Sequence, residues 1–498
     1  MNGSTKVADQ PAPNDKAEKP IRLPVFTKYG KILVVIFVLT LPLVNPWVRG
    51  DGVGYYAFAR SLLIERDLNF KKDWMNANPS FRMGRIDAEG QIFAGEYTRT
   101  GHIDNHFSIG PAILWSPFLI AAHVGVLMAD RMGAVVPADG FSRPYTIAMG
   151  FATALYGFLA LWISFQLARK YVPERWAFLG TLGIWFASSL PVYMYFNPSW
   201  SHAQSAFTVA LFVWYWDKTR KTRTLKQWAI LGAIGGLMMD VYYVTAILFL
   251  LPAFETLGLY AIASRGSGAQ SRGRVLGGNL AFIAATAASF LPTLVTKKII
   301  YGSFFQFGYA ERWYWNSPAL GRVAFSSDHG LFSWTPLLIL AVAGLFALWR
   351  RDRTLSLLLL TVFAVYLFTI GCYQDWDGLS SFGSRFFVSL TVLFVVGLAA
   401  FFDWLSRVWN ERRATALATA ITAVFIVWNL GLIFQWGTHL IPARGPISWR
   451  DAAYNQVAVV PEEATRTLES YFTRRKQMMG HIEQQDVRQL KAGGPEEH

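Results

Sequence analysis

Apolar runs recur along most of the chain and are separated by short polar segments. Several of them approach the about 20 residues that a helix needs to cross a bilayer. The pattern predicts eleven membrane-spanning helices and disfavours a large soluble protein with buried helices. The predicted spans are residues 31–48, 145–168, 176–196, 201–216, 227–241, 243–263, 276–299, 330–349, 354–372, 385–405 and 414–436.

The composition agrees with a membrane protein. Charged residues make up only 16% of the chain, whereas soluble domains average about 25%. A net charge of +14 would suggest nucleic-acid binding in a soluble protein, but here the basic residues stand in short clusters between apolar runs. With eleven spans, all six clusters fall on one side, so that side is predicted to be cytoplasmic and no nucleic-acid partner is expected. The clusters are 16–31, 168–175, 217–226, 264–274, 349–353 and 406–413.

This topology divides the chain into parts. Residues 1–30 are predicted to be a disordered cytoplasmic N-terminus, followed at 31–436 by a transmembrane domain with an uncleaved first span. Residues 49–144 form a long first external loop, and 437–498 form an external tail or a small helical domain. The apolar run 107–128 is assigned to the outer interface, flat or dipping in partway, because a full crossing would place every later basic cluster outside.

The first span is followed by "NPWVRGDGVGYYAFARSLL", residues 45–63, which places a carboxylate at the edge of the membrane. Asp51 can act there as a general base, because a carboxylate beside an acceptor hydroxyl can take its proton. It can also cap the helix that begins near residue 53, a position where Asp is preferred. The local sequence fits both roles. The glycines at 50, 52 and 54 are expected to let a substrate approach the backbone.

Five stretches resemble the integral-membrane glycosyltransferases of the GT-C superfamily, in particular the branch of protein mannosyltransferases and aminoarabinose transferases. They are "RGDGVGYYAFARSL" (49–62), "NHFSIGPAILWSPFLIA" (105–121), "NPSWSHAQSAFTVALF" (197–212), "HGLFSWTPLLILAVAGLFALWRR" (329–351) and "DWDGLSSFGSRFF" (375–387). The resemblance covers roughly residues 30–436 and implies an all-α bundle with interfacial helices in its first external loop.

What the resemblance implies for function is the transfer of a sugar. The donor would be linked to a polyprenyl phosphate, and the acceptor would be an extracytoplasmic lipid, glycan or protein. Asp51 would take the role of the family's first-loop acid. The sequence departs from the pattern at Gly52, where many relatives carry a second acidic residue.

Fixed cations are needed where negative charge builds on the departing phosphate. Arg385 is the first candidate, because it follows "SFGS" at the start of a span and a guanidinium can hold two phosphate oxygens. Lys297 and Lys298 are second, since they end a span on the outer side against the positive-inside bias. Each of the three can instead contact lipid headgroups only.

Further polar and aromatic residues are predicted to bind substrate. Asp240 is an ionisable residue in an apolar segment, which marks a functional position or a cap of the next span. The motif "HIDNH", residues 102–106, is predicted to line the acceptor site; it can also hold a divalent metal, but no cofactor is assigned. The full set is Tyr55, Tyr56, His102, Asp104, His106, His202, Asp240 and Trp376.

A transporter or flippase of lipid-linked sugars is the alternative function. Such a protein would favour inverted repeats and ionisable residues inside several spans, whereas polar residues here gather at the outer ends and in one long loop. The sequence contains no nucleotide-binding fingerprint, in agreement with a lipid-linked donor. We therefore predict an enzyme of the bacterial inner membrane whose active site faces the periplasm or the exterior.

Overall fold

The structure, a computed structural model, describes residues 27–220, 223–264, 272–306 and 312–492. Of the residues in these ranges, 74% are helical. Within these ranges the extended pairings are isolated β-bridges, such as Ile86 with Ile92. The predicted all-α class is confirmed. A disordered N-terminus was predicted for residues 1–30, of which residues 1–26 lie outside the described part of the chain.

The helices follow one another along the chain with short connections. The first part contains α1 (Lys28–Thr40), α2 (Asp51–Arg60), α3 (Lys71–Asn76), α4 (Pro79–Arg82) and α5 (Gly110–Arg131). The middle part contains α6 (Arg143–Ala168), α7 (Glu174–Phe186), α8 (His202–Thr219), α9 (Leu225–Val241), α10 (Leu250–Ser264) and α11 (Arg272–Tyr301). Then come α12 (Leu320–Phe325), α13 (Leu331–Trp334), α14 (Leu337–Ala347), α15 (Arg353–Cys372), α16 (Thr391–Val408) and α17 (Glu411–Gly437). The last are α18 (Trp449–Ala458), α19 (Val460–Thr473) and α20 (Arg475–Ala492).

Seven helical stretches of the described chain are long and apolar enough to cross a membrane. They are α5, α6, Tyr243–Ala261, α11, α15, Arg385–Val408 and α17. The protein is therefore a polytopic helical membrane protein, as predicted. Six of the seven coincide with predicted spans, and the seventh, α5, is the run assigned to the outer interface. The remaining five predicted spans correspond to shorter or less apolar helices, among them α1, α8 and α9.

Helix α5 runs antiparallel to the first half of α6. The Tyr156 hydroxyl donates a hydrogen bond to the Leu114 carbonyl at 2.9 Å, and His123 Nδ1 lies 2.6 Å from the Tyr145 hydroxyl. Helix α5 thus begins beside the middle of α6, and its last turns extend beyond the residue where α6 begins. Helix α5 is itself long and apolar enough to cross a membrane, so its interfacial placement stays a prediction.

Four connections that carry basic clusters meet at one end of the bundle, namely 168–175, 217–226, 349–353 and 406–413. Arg175 at the start of α7 pairs with Glu411 at the start of α17, and Arg220 after α8 pairs with Asp352 before α15. The first loop, the loop 373–384 and the C-terminal helices contact one another at the opposite end.

Helix α16, with the 3₁₀ turn that precedes it, is the most enclosed of the candidate spans, and 94% of its apolar stretch is buried. A helix that is apolar on all sides belongs in such a central position. Its close approach to α14 depends on glycine, because a Cβ on Gly344 would lie 1.8 Å from the Gly397 carbonyl oxygen. The central helix therefore holds Arg385, at the start of the turn, in a fixed place at the end of the bundle.

Candidate active site

Asp51 is the first residue of α2 and follows Gly50, whose φ of +52° disfavours any side chain. Gly50 is the N-cap residue of this helix, so Asp51 stands in its first turn and not at the cap position. Its carboxylate is ion-paired with Arg385, with 2.5 Å between Oδ2 and Nη1. Asp51 therefore does not hold the cap position, and its role as a general base stays a prediction.

The glycines that follow Asp51 allow close packing of α2 against its neighbours. A Cβ on Gly52 would lie 1.9 Å from Ser199 Oγ, and a Cβ on Gly54 would lie 2.0 Å from the ring of Phe107. The first turns of α2 therefore press directly against two other segments at the same end of the bundle. This corrects the expectation that these glycines leave room for a substrate, and it explains why the segment tolerates no bulk.

Arg385 stands between Asp51 and an aromatic wall. Its Cζ lies 4.7 Å from the ring centroid of Trp200, close enough for a cation–π contact. The indole of Trp200 in turn donates a hydrogen bond to the carbonyl of Arg49 at 3.0 Å. Residues from the first loop, the hairpin before α8 and the start of the central helix thus form one contiguous cluster.

This cluster opens onto a cavity of about 1890 Å³. Its charged end is lined by Asp51, Asp104, His106, Gln374, Asp375 and Arg385. Its other walls are largely apolar and come from the segment after α1, from α17 and from the C-terminal helices, with Leu43, Leu430, Phe434, Leu468 and Ile482 among them. A charged end joined to apolar walls suits an amphiphile, because each part of the ligand meets surroundings of its own polarity.

The C-terminal helices close one side of the cavity. Asp486 of α20 is ion-paired with Arg49, and its Oδ1 lies 2.9 Å from His439 Nε2. Glu483 accepts a hydrogen bond from the Asn78 side chain at 2.8 Å. The tail is thus a helical segment docked on the first loop, and it supplies part of the wall around the site.

Two groups near the charged end have shifted pKa values. Burial raises the pKa of the Tyr55 hydroxyl, and the carboxylate of Asp51 raises it further. Burial also raises the pKa of Asp375, and the neighbouring carboxylate of Asp377 adds to that shift. Tyr55 is therefore neutral at ordinary pH and is no base, whereas carboxylates and the imidazole of His106 are side chains of this region that can accept a proton.

The two lysines predicted to bind the donor phosphate do not line the cavity. Lys297 is buried, and its Nζ donates to the three successive carbonyls of residues 105–107 at 3.2, 2.7 and 3.0 Å. An ammonium group has three hydrogens, so these contacts use all of them. Lys298 is exposed and donates to the Gly302 carbonyl at 2.7 Å. The prediction is corrected: Lys297 fixes the first loop to α11, and Lys298 closes the end of that helix.

Three residues predicted to bind substrate are instead buried away from the cavity. The Tyr56 hydroxyl donates to the Gly140 carbonyl at 2.7 Å. The ring of Tyr55 is 8% exposed and faces the interior of the first loop. His202 stands 4.6 Å from the ring of Tyr193, measured between centroids. These side chains build the wall behind the site, and their aromatic faces are covered by other residues.

Asp240 is also directed into the protein. It is fully buried at the end of α9 and accepts a hydrogen bond from the Thr293 hydroxyl of α11 at 2.5 Å. It does not line the cavity. The predicted contact with a sugar is therefore corrected: this carboxylate joins two helices.

The residues of the motif "HIDNH" differ in whether they line the cavity. Asp104 and His106 line the cavity, whereas His102 does not, and their role in binding an acceptor stays a prediction. His102 Nδ1 lies 2.9 Å from the Thr100 hydroxyl, and Asp104 accepts a hydrogen bond from Tyr301. The three side chains are not a group of metal ligands in the described ranges.

Trp376 likewise lies outside the cavity lining, with the guanidinium of Arg322 at 5.4 Å from its ring centroid. Sequence reasoning missed Trp200, Gln374 and Asp486, which do line the cavity. Trp200 lies in the stretch that begins "NPSW", and Gln374 directly precedes the stretch that begins "DWDG". The sequence therefore drew attention to both segments but not to these two side chains. Nothing in the sequence near Asp486 indicated a contact with the first loop.

The fold and the cavity define a class: a polytopic helical membrane protein with a charged site at one end of its bundle. No family model and no curated protein matches the chain. Among solved structures, the chain is similar to the crystal structure of ArnT from Cupriavidus metallidurans in the apo state. That similarity has a TM-score of 0.47 and 12% sequence identity, over 82% of this chain and 70% of that chain.

Proposed function

We propose that this protein is a membrane glycosyltransferase that moves a sugar from a polyprenyl-phosphate-linked donor to an extracytoplasmic acceptor. One observation carries the proposal: the ion pair of Asp51 with Arg385 at the charged end of a cavity whose other walls are apolar. A carboxylate is suited to take a proton from an acceptor hydroxyl. A guanidinium is suited to hold a phosphate. The two groups that the reaction needs are therefore in direct contact.

The apolar walls support a lipid-linked donor. Helix α17 and the C-terminal helices line a side of the cavity with Leu430, Phe434 and Ile482. A polyprenyl chain can lie along such a surface while its phosphate reaches Arg385. A water-soluble nucleotide sugar would gain nothing from these walls.

Phosphate and Asp51 compete for one guanidinium in this arrangement. A donor phosphate that reaches Arg385 takes over hydrogen bonds that the Asp51 carboxylate accepts before. The carboxylate is then free to accept a proton from the second substrate. Donor binding thus frees the carboxylate to act as a base, so the donor is expected to bind before the acceptor.

The chemical step follows from these positions. The acceptor hydroxyl gives its proton to Asp51, and its oxygen forms a bond to the anomeric carbon while the bond from that carbon to the phosphate oxygen breaks. The electron pair leaves with the polyprenyl phosphate, whose added charge Arg385 stabilises. A single displacement of this kind inverts the configuration at the anomeric carbon.

The proposed location is a bacterial inner membrane, with the cavity on the periplasmic or outer face. The reason is charge: the basic connections lie at the end of the bundle opposite to the cavity. The acceptor, a lipid, a glycan or a protein, then arrives from the aqueous side where Asp104 and His106 line the cavity.

The test is transfer in proteoliposomes. The purified protein is mixed with a panel of synthetic polyprenyl-phosphate sugars that carry a radiolabel in the sugar, and with cell-envelope fractions as acceptors. We expect labelled acceptor to accumulate together with an equal amount of free polyprenyl phosphate. Protein with Asp51→Asn serves as the inactive control and Glu89→Gln, an exposed first-loop acid, as the active one.

Two results would overturn the proposal. One is the absence of transfer with every donor of the panel. The other is movement of intact labelled donor from one leaflet to the other, without cleavage, which would assign the cavity to a flippase.

A further inference from the structure

A second group of functional side chains lies where two outer loops meet. Asp328 and His329 come from the turn between α12 and α13, and Asp377 comes from the loop that leads to the central helix. One possible ligand atom from each residue lies within 4.8 Å of the other two. In the described part of the chain this is the single group of three such side chains. None of the three lines the cavity.

The imidazole of His329 is the unusual member. Its side chain is 0% exposed and faces the backbone of Asp377, but neither Nδ1 nor Nε2 makes a hydrogen bond of good geometry. Its Nδ1 stands 3.5 Å from Asp328 Oδ1, too far for a hydrogen bond, and that oxygen is also buried without one. Buried polar atoms of native proteins nearly always have partners, so these three atoms together indicate a ligand.

The backbone at this position is strained as well. His329 has a φ of +56°, in the left-handed region that residues with a Cβ uncommonly adopt, although Asn, Asp and His adopt it more often than the others. Strained residues persist where the surrounding structure requires them, and they concentrate at functional sites. The left-handed conformation brings the imidazole beside the neighbouring carboxylate of Asp328.

We propose that Asp328, His329 and Asp377 bind a divalent cation, with Zn²⁺ as the best match. One imidazole nitrogen and carboxylate oxygens are ligands that Zn²⁺ prefers, and three protein ligands leave a fourth position for water. At the usual distances of about 2.0–2.2 Å to the metal, the ligand atoms would move towards one another by a small amount. Mg²⁺ and Ca²⁺ fit less well, because they prefer sites built from oxygen alone.

The cation would be a positioning group for the active site. Asp377 is followed by Gly378, whose backbone is so close to Arg385 that a Cβ on it would lie 3.1 Å from Nε. A metal that joins Asp377 to the turn 326–330 fixes this loop against the guanidinium. The site therefore connects two loops that no disulfide can join, since the chain has one cysteine.

The test is metal binding by purified protein, read independently of sugar transfer. The protein is treated with a chelator, dialysed, titrated with Zn²⁺ and analysed for bound metal and for its melting temperature. We expect about one saturable Zn²⁺ per chain and a melting temperature that rises on its addition, because a ligand that binds only the folded state stabilises it. Ca²⁺ and Mg²⁺ at the same concentration should cause a smaller rise.

Matched variants locate the site. His329→Asn removes the imidazole while keeping a residue that tolerates the left-handed backbone, and Asp377→Asn removes a carboxylate with no change of shape. Both should lose the bound Zn²⁺ and the rise in melting temperature, whereas His102→Asn should keep them. The proposal is overturned if the wild-type protein binds no Zn²⁺ saturably, or if Asp377→Asn binds as much as the wild type. Either result would leave the proposed glycosyl transfer intact, since that activity has its own assay.

Discussion

Arg49, two residues before the candidate base, is ion-paired with Asp486, close to the end of the chain. The pair joins the edge of the first loop to α20 over 437 positions of sequence. His439 contacts the same carboxylate. The C-terminal helices are thereby held over the cavity, so their docking becomes a property that the active site depends on.

Asp486→Asn should loosen these helices. The change removes the charge that Arg49 and His439 share, and hydrogen bonds to charged groups contribute about 1.5–3 kcal/mol each. We expect hydrogen exchange over residues 449–492 to become about 10-fold faster or more, which follows from that energy. Glu469→Gln, an exposed acid of α19, is the control and should leave the exchange unchanged. Equal exchange in the two variants would show that this ion pair does not hold the tail.

The same contact predicts a dependence on pH. Burial alone would raise the pKa of Asp486, but the hydrogen bond with His439 and the charge of Arg49 hold it below its ordinary value. A carboxylate with a lowered pKa in the folded state stabilises the fold above its unfolded pKa and loses that contribution as the pH falls through the folded pKa. The difference in tail protection between wild type and Asp486→Asn should therefore be full at pH 5–7, begin to shrink near pH 4, and disappear only below the lowered pKa of Asp486. A difference that persists at low pH would exclude the carboxylate charge as its cause.

Asp51→Asn should separate catalysis from structure. Loss of a general base lowers kcat by roughly 10²–10⁴-fold. The apparent melting temperature should change little, because the pair with Arg385 is partly exposed and such pairs contribute modestly. The donor KM should not rise, since the amide no longer competes with phosphate for the guanidinium. Steady-state transfer kinetics with a synthetic donor measure both constants, and an Asn variant with wild-type kcat would send the search for the base to Asp104.

Arg385→Lys keeps the charge but removes the planar guanidinium. A lysine cannot hold two phosphate oxygens in the same way or stack on Trp200. With about 1.5–3 kcal/mol lost from a charge-assisted contact, kcat/KM for the donor should fall roughly 10- to 100-fold. The matched control is Arg322→Lys, which also changes an arginine over a tryptophan but lies outside the cavity. Equal effects of the two changes on donor kinetics would remove Arg385 from the phosphate site.

Lys297→Ala should act on stability, in contrast to its neighbour. Removal of the ammonium leaves buried carbonyls of residues 105–107 without a donor, and an unsatisfied buried group costs about 1–3 kcal/mol. Thermal unfolding in detergent should show a clear drop in melting temperature for this variant. Lys298→Ala, at an exposed position, should stay within about 0.5 kcal/mol of wild type. If Lys297→Ala instead keeps its melting temperature and loses donor binding, the lysine belongs to the site after all.

Two separate features of the sequence singled out Asp51 and Arg385, the two residues at the centre of the candidate site. Asp51 stood out as a carboxylate directly after an apolar run, and Arg385 as a basic residue behind a glycine turn at the start of another. Sequence reasoning did not predict that they touch, because the 334 positions between them carry no pattern that reports a contact. It also assigned Lys297 and Asp240 to the substrate, although their side chains point into the protein.

The sequence by itself determined the class of the protein. The length of the apolar runs is set by the thickness of a bilayer, and the basic clusters are set by the positive-inside bias, so both can be read residue by residue. The tertiary structure alone decided which polar side chains face the cavity and which satisfy buried groups. That choice depends on the rotation and depth of each helix against its neighbours, as at Lys297 and Asp486, where the partner lies about 190 or more positions away. Each buried polar group must find a partner in three dimensions, and sequence spacing does not encode where that partner is.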